Sequence, residues 1–571
     1  MCGILVQHGD EPFHHKQLEA LRRRGPDAVG YWINRDIALA HARLSILGLD
    51  ERGTEPIEND THVLAYNGEI YNYLDVNRQL ESASIHPRWS GDTETLLQAW
   101  STWGDKSLES LEGFWAFVVY DKRAKILTLV RDPLGVKPLY YLHQNDTFLA
   151  ASTIASLLAL TQKRPGLDFV GLSEYAQYQL TFGSRTFLAG VHRVMPGEIV
   201  TYDLASNTLS KRIYAAPFAQ PGEQGSIDDT WIAETRSIMA EACRASRVGD
   251  VPFTTTCSGG IDSSLVTRWT SPEVAYHANY SDPECNETFY AQEVARGIGT
   301  RLMVVNARED FDLVAAVESL IADVDDPCAG SVILPLDDLL AQVKRRYKIL
   351  LTGTGGDELF GGYTRYALAL GHCPQDSYRS AHARLMALAS PLDRFESFHA
   401  KGDTSWYKFY DSAARKNFLN ALGDGDPLEA MLRFDRTVFL HGLLTLDDRM
   451  TGRHGIEGRP SLLHPRIVKR IAELSAKTVV RPTDLKWLGR AIGYGVLPED
   501  VLGRQDKMGF TTPIGTFVAN NASRIREAIQ ASPFRDLYDL SRVRFTAESK
   551  WSRDVFGLLM LDCWLRRYSA R

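Results

Sequence analysis

The second residue of the chain is a cysteine behind a single methionine, in Met1-Cys2-Gly3-Ile4-Leu5-Val6. Removing Met1 leaves a thiol and a free α-amine on one residue, which is a nucleophile carrying its own base. A thiol with a pKa of about 8.5 attacks well only when something accepts its proton, and an α-amine of about 7.7–8 can do so directly or through one water. Read alone, Cys2 is equally a residue on a frayed terminus.

Further segments bear on the choice: Arg24-Gly25-Pro26-Asp27, His41-Ala42-Arg43-Leu44-Ser45-Ile46, Tyr66-Asn67-Gly68-Glu69-Ile70-Tyr71-Asn72, Ser90-Gly91-Asp92-Thr93-Glu94 and Arg131-Asp132-Pro133-Leu134-Gly135. Together with the first residues, in this order, they resemble a glutamine amidotransferase domain of the Ntn-hydrolase group. The resemblance implies an α+β domain of four αββα layers. Short apolar or alternating runs at 38–42, 63–66, 115–120 and 126–130, bounded by Gly, Asp and Asn, have the pattern of its antiparallel strands.

The resemblance also implies roles. Holding glutamine by its α-carboxylate and α-ammonium calls for a guanidinium and one or two carboxylates; these are Arg43, Glu69 and Asp92. When sulfur adds to the amide carbon, the developing oxyanion needs donors aimed at it, and these are the Asn67 side-chain amide and the Gly68 backbone N–H, glycine permitting close approach. Without the family, Asn67-Gly68 is a hairpin-turn dipeptide and Arg43 a surface charge. The segments around Arg24 and Gly135 read as architectural.

The second half carries a different signature. An apolar run at 251–257 leads directly into Ser258-Gly259-Gly260-Ile261-Asp262-Ser263-Ser264 and an apolar helix start. Strand, glycine loop and helix N-terminus make an anion cradle, while the lysine-containing phosphate loop is absent. The segment resembles the pyrophosphate loop of ATP pyrophosphatases. A second strand, Lys348-Ile349-Leu350-Leu351, leads into Thr352-Gly353-Thr354-Gly355-Gly356-Asp357-Glu358-Leu359-Phe360-Gly361-Gly362-Tyr363, similar to a segment of asparagine synthetases. ATP binding is then expected at Ser258, Gly259, Gly260, Asp262, Ser263, Ser264, Gly353 and Asp357, with Asp262 and Asp357 as Mg2+ ligands, since hard oxygens suit a metal that bridges phosphates. Lys507, in Gly503-Arg504-Gln505-Asp506-Lys507-Met508-Gly509-Phe510, is expected to serve catalysis by supporting the α-phosphate. Lys486-Trp487-Leu488-Gly489-Arg490 reads as a helix packed on the core.

The resemblance therefore covers nearly the whole chain and is to the class B glutamine-hydrolysing asparagine synthetase family. It implies a glutaminase domain over 2–210 and an ATP-dependent synthetase domain over 226–571, the latter α/β with a parallel sheet of the ATP-pyrophosphatase type and a helical C-terminal region. Aspartate is the acceptor the family most commonly amidates, and a homodimer its usual assembly. Two departures point to another carboxylic acid as the alternative. Thr354 stands where the family carries an acid, and a threonine hydroxyl is no general base near neutral pH. In Gly455-Ile456-Glu457-Gly458-Arg459-Pro460-Ser461-Leu462-Leu463-His464 the proline is shifted and His464 replaces an acid.

Composition bounds these expectations. At 571 residues, two or more domains have ample cores, and a net charge of −7 gives no reason to propose nucleic acid or an anionic membrane as partner. Seven scattered cysteines without a Cys-x-x-Cys pair speak for a reducing compartment and against zinc. With neither a signal peptide nor a membrane-spanning run, the expectation is cytoplasmic. The stretch 215–226, rich in Pro, Gly and small polar residues, reads as a linker. Trp231, Ile232, Ile238, Met239, Ala242 and Cys243 then recur at helical spacing. From about Asp376 the pattern is mostly helical, with Trp406, Tyr407, Phe409 and Tyr410 as an aromatic core cluster.

Overall fold

Three sheets organise the chain, seen in a computed structural model that describes residues 1–9, 12–220, 222–327, 330–401, 404–504, 512–545 and 549–569. The first sheet has six antiparallel strands in the order Val191–Arg193, Tyr140–Gln144, Thr147–Ala151, Gly3–His8, Ile37–Arg43, Ala28–Ile33. Gly3–His8 is paired on both edges, with Gly3 opposite Ala42 and Leu5 opposite Ala151. Cys2 is therefore anchored at the end of an interior strand. The second sheet runs Thr208–Ile213, Glu198–Asp203, Ile126–Arg131, Gly113–Asp121, His62–Ile70, Ile57–Glu58.

Alternation along these strands explains the stacking. Ile4, Val6 and Leu39 of the first sheet meet Val63, Ala65, Ala116 and Val118 of the second in one buried layer. On the outer faces, Leu5 and Ala40 pack against Leu21 and Leu157 of the helices His15–Arg22 and Ile154–Leu160, while Leu64 and Tyr66 pack against Val76, Leu80, Leu96 and Leu97 of Tyr73–Ser82 and Asp92–Trp103. Both faces of the interior strands are covered, so Gly3–His8, Ile37–Arg43, Gly113–Asp121 and Ile126–Arg131 read as apolar almost throughout, where an antiparallel sheet with one wet face would alternate; the edge strand Thr208–Ile213 is exposed. The result is the four-layer αββα arrangement.

The third sheet is wholly parallel, in the order Arg301–Asn306, Val274–Asn279, Phe253–Thr256, Ile349–Thr352, Glu457–Pro460. In chain order this is 3-2-1-4-5, and the order reverses between Phe253–Thr256 and Ile349–Thr352. Ligands of open α/β sheets bind at such a switch point, beyond the carboxyl ends of the strands. The two glycine-rich segments are the loops that leave those two strands. The fifth strand, Glu457–Pro460, interrupts a region whose pattern is otherwise helical. Its four residues have no β-forming character, and their place on the sheet edge comes from pairing with Ile349–Thr352.

The helix opened by Trp231 spans Asp229–Ala245, with the Asp228 side chain accepting from Trp231 N and with Trp231, Met239, Ala242 and Cys243 buried. The preceding segment is tied down: Gln224 N donates to Glu473 O, and Gln224 O accepts from Ser475 N. Trp406 and Phe409 lie in the core, whereas Tyr410 is 68% exposed. Among the described residues no helix is long and apolar enough to cross a membrane.

Candidate functional site

Two cavities sit where the motifs converge. The smaller lies against Cys2 and is lined by Arg43, Glu55, Glu69, Trp89, Asp92 and Glu457 among others. Cys2 N donates to Asn67 Oδ1 at 3.1 Å, and Arg24 Nε donates to Cys2 O at 2.9 Å. Burial pushes the Cys2 thiol above its ordinary pKa, so it needs a base close by. Burial also lowers the Met1 amino group, to about 5, with Arg24 and Lys137 acting in the same direction. An amine in these surroundings is neutral at pH 7 and can accept a proton.

Asn67-Gly68 is no turn. Both residues lie within His62–Ile70, opposite Ala116 and Trp115. Strand pairing on the inner edge leaves the Asn67 side chain fully buried, its Nδ2 without a partner. A buried amide N–H is costly unless something receives it, and an oxyanion forming on a substrate is such a receiver. A Cβ at position 68 would fall 2.2 Å from Phe114 O, so only glycine lets the strands approach this closely. Asn67→Ala is expected to lower glutamine hydrolysis by about 10²–10³-fold in kcat, as for other oxyanion donors, leaving ammonia-dependent turnover intact. Steady-state rates with each nitrogen source measure this.

The expected glutamine ligands gather here with different degrees of freedom. Asp92, at the start of Asp92–Trp103, accepts from Tyr66 Oη at 2.9 Å, Ile70 N at 3.2 Å and Thr93 N at 2.9 Å. Burial outweighs those donors and lifts its pKa to about 6. Glu69 Oε2 accepts from Arg459 Nη2 at 2.7 Å, while its Oε1 is buried without a partner. Arg43 is turned onto the loop beside it, donating to Asp50 O at 2.7 Å, Leu47 O at 3.1 Å and Gly48 O. Arg131 and Asp132 are architectural: buried, they bond backbone groups of 134–137 and 194.

The larger cavity, about 1140 Å³, lies over the switch point and is lined by Ser258, Asp262, Thr354, Asp357, Lys486 and, at one side, Met1 among others. Gly259 has φ +75°, and a Cβ there would fall 2.5 Å from Tyr290 Cβ. Gly260 caps the helix Ile261–Thr270. Ser258 N donates to Ser263 Oγ at 3.0 Å, closing the loop, and Ser264 Oγ is buried without a partner. The second loop packs directly on the first: Cβ atoms at Gly353 and Gly356 would fall 2.6 Å from Ser263 N and 2.2 Å from Asp262 Cγ. Backbone N–H groups and a helix N-terminus thus converge without side chains in the way.

Asp262 and Asp357 share a cation. Lys486 Nζ donates to Asp262 Oδ2 at 2.5 Å and to Asp357 Oδ1 at 2.7 Å. The helix expected over 486–490 begins at Trp487 instead, and Lys486 precedes it in the left-handed region, φ +62°, so its side chain turns into the cavity rather than onto the core. The two carboxylates hold it charged against the cost of burial. Two hard-oxygen ligands converging on one positive centre fit a magnesium site. Lys507 lies outside the described residues.

Several contributors have no local signal in the sequence. Glu55, lifted to about 8 by burial, is one. Asp447 and Asp448, neighbours on the helix Leu440–Arg453, are two more: Asp447 Oδ2 accepts from Thr354 Oγ1 at 2.5 Å, and Asp448 accepts from Arg24 at 2.7 and 3.1 Å. His464, where an acid was expected, is buried, stacks on Tyr71 and caps Pro465–Ala472 through Nδ1. Burial drops its pKa to about 3, so it is neutral.

Residues 1–215 match the family model described as a glutamine amidotransferase domain, and residues 234–566 the one described as asparagine synthase. Similar proteins include glutamine-hydrolyzing asparagine synthetase 1 of Bacillus subtilis, 26% identical over 93% of this chain and 90% of its own length. A putative glutamine-hydrolyzing asparagine synthetase of Mycobacterium bovis is 27% identical over 86% of this chain and 83% of its own. Amidase chyE of Penicillium rubens is 28% identical over 65% of this chain and 58% of its own.

Proposed function

Because the chain belongs to the asparagine synthase family and carries a glutamine amidotransferase domain, we propose that it is a ligase that amidates aspartate to asparagine through an acyl-adenylate, with release of AMP and pyrophosphate. Glutamine is the nitrogen donor and ATP the energy source. The observation that carries this reading is the placement of the larger cavity, which contains both ATP-type loops and reaches Met1, the residue joined to the nucleophile.

In the first domain, the Cys2 thiol gives its proton to the α-amine released by loss of Met1 and attacks the glutamine amide carbon. Cys2 N, beside Asn67 Oδ1, is the atom that becomes that amine. Asn67 Nδ2 receives the oxyanion, ammonia leaves, and water hydrolyses the thioester. Glu69 and Asp92 hold the glutamine ammonium; Arg43 takes its carboxylate after exchanging a loop carbonyl. In the second domain, the acceptor carboxylate attacks the α-phosphorus and pyrophosphate leaves. Ser258, Gly259, Gly260, Ser263, Ser264 and Gly353 orient the phosphates. Asp262 and Asp357 would hold magnesium, which supplies charge neutralisation on the phosphate oxygens, and Lys507 is assigned to the α-phosphate.

A second reading keeps the chemistry and changes the acid, and Thr354 is the observation that favours it. One experiment separates these readings: incubation with amide-15N glutamine, Mg-ATP, and aspartate or a panel of other carboxylic acids. Labelled asparagine in step with AMP is the expected result. Label entering another amide instead selects the second reading. Nucleotide cleavage without label in any product sinks both.

A further inference from the structure

The loop that follows Ile349–Thr352 ends a short relay of hydroxyls on a carboxylate. Thr352 Oγ1 donates to Thr354 Oγ1 at 3.2 Å, and Thr354 Oγ1 donates to Asp447 Oδ2 at 2.5 Å. A hydroxyl has one proton to give, so both donors point the same way and Asp447 is the terminal acceptor. Its other carboxylate oxygen has no partner among the described residues. All three side chains line the larger cavity with Asp262, Asp357 and Lys486.

We propose that Asp447 is the general base of the amide-forming step, taking over from the helix Leu440–Arg453 the carboxylate that the loop lacks at Thr354, with Thr354 as its positioning residue. The inference rests on the adenylation and amidation proposed above. In the step, the ammonia lone pair adds to the acyl carbon and a C–N bond forms. The bond from that carbon to the AMP oxygen breaks, and AMP leaves with the electron pair. The nitrogen, cationic on addition, passes one proton to Asp447, which releases it to water. Ammonia and acyl-adenylate thereby give amide, AMP and one proton.

The surroundings suit that task. Asp447 sits among Leu443, Leu444 and Leu446 of its own helix, which also line the cavity. Burial raises its pKa to about 6, with the Thr354 hydrogen bond opposing and the charge of Asp448 assisting. Asp448 points elsewhere and is neutralised by Arg24 and Arg449. From the other elements around the cavity, the charged or titratable groups include Asp262, Asp357, Glu358, Lys486 and the Met1 amine, with His277, Arg365, Asp484, Arg490, Arg504 and Arg553; Asp262 and Asp357 are paired with Lys486, Arg365 with Asp435, Arg490 with Asp484 and Arg504 with Glu287. A base whose pKa lies just below the working pH is mostly ionised and still accepts a proton effectively.

The test uses the full-length enzyme, ammonium chloride, Mg-ATP and whichever acid the wild type amidates in the panel above. Asp447→Asn is expected to slow amide formation by about 10²-fold or more, the usual contribution of a positioned base, while acid-dependent exchange of pyrophosphate into ATP persists. Hydroxylamine, which sheds its proton more readily after addition, is expected to restore part of the rate. At a fixed concentration of free ammonia, amide formation in the wild type should rise with pH through about 6, and Asp447→Asn should lose that limb. Thr354→Val should move the limb to higher pH, because removing a donor to the carboxylate raises its pKa. Wild-type rates and pH profile in Asp447→Asn would overturn the assignment. So would parallel loss of pyrophosphate exchange and amide formation, which marks a structural role; Thr354→Val with an unmoved limb would do the same. A wild-type enzyme that adenylates no acid fails at the earlier reading and takes this one with it.

Discussion

Cys2→Ala is expected to abolish glutamine-dependent amide formation and to leave ammonia-dependent formation at the wild-type level. The substitution removes the sulfur and nothing else of consequence: the chain remains paired through Gly3–His8 on both edges, and alanine still permits removal of Met1. Deleting the nucleophile of a covalent mechanism costs on the order of 10⁶ in kcat, which places residual glutamine use at background. The ATP-type loops are carried by a different sheet, so ammonia supplied from solution bypasses the lesion. The measurement is amide formation with each nitrogen source, on protein whose thermal unfolding matches the parent. A folded variant that loses both activities would contradict separate sites.

Asp357→Asn is expected to do the converse. Glutamine hydrolysis continues, while amide formation from either nitrogen source falls by at least about 10²-fold, the scale set by losing several kcal/mol of cationic charge stabilisation at the phosphates. Asp357 Oδ1 holds half of the carboxylate pair that grips Lys486 Nζ, and an amide cannot replace the charge. Gly362 packs so tightly that a Cβ there would fall 2.0 Å from the same oxygen, so the carboxylate has little room to be replaced by a neighbour. Titrating Mg2+ against pyrophosphate exchange checks the cause: the variant should need far more metal. Unchanged metal dependence and rate would remove Asp357 from the magnesium site.

What was legible in the sequence is what is local in it. Cys2, Asn67-Gly68-Glu69, Ser258–Ser264 and Gly353–Asp357 are runs whose backbone conformation and side-chain chemistry act together over a few residues, and each lies at a strand end, in a strand or at a helix start. What was not legible depends on partners far along the chain. Lys486 reaches Asp262 across 224 positions, Asp447 reaches Thr354 across 93, and Arg459 reaches Glu69 across 390. No spacing rule encodes those distances. Asn67-Gly68 shows the reverse failure: a dipeptide with strong turn preference lies inside a paired strand because strands on both sides and the close Phe114 carbonyl set its conformation, tertiary context overriding local preference.

Arg459 carries a last consequence. It is wholly buried and its guanidinium serves Glu69 of the cavity beside Cys2 and Glu457 of its own strand, so the amidotransferase domain borrows a counter-charge from the synthase domain. Leaving a buried charge without its partner costs about 3–5 kcal/mol. A glutaminase half cut free of its neighbour, or grafted onto a foreign synthetase, would thus arrive with a defect inside its own binding pocket, and domain exchange among such enzymes has to move that arginine together with the pocket it completes.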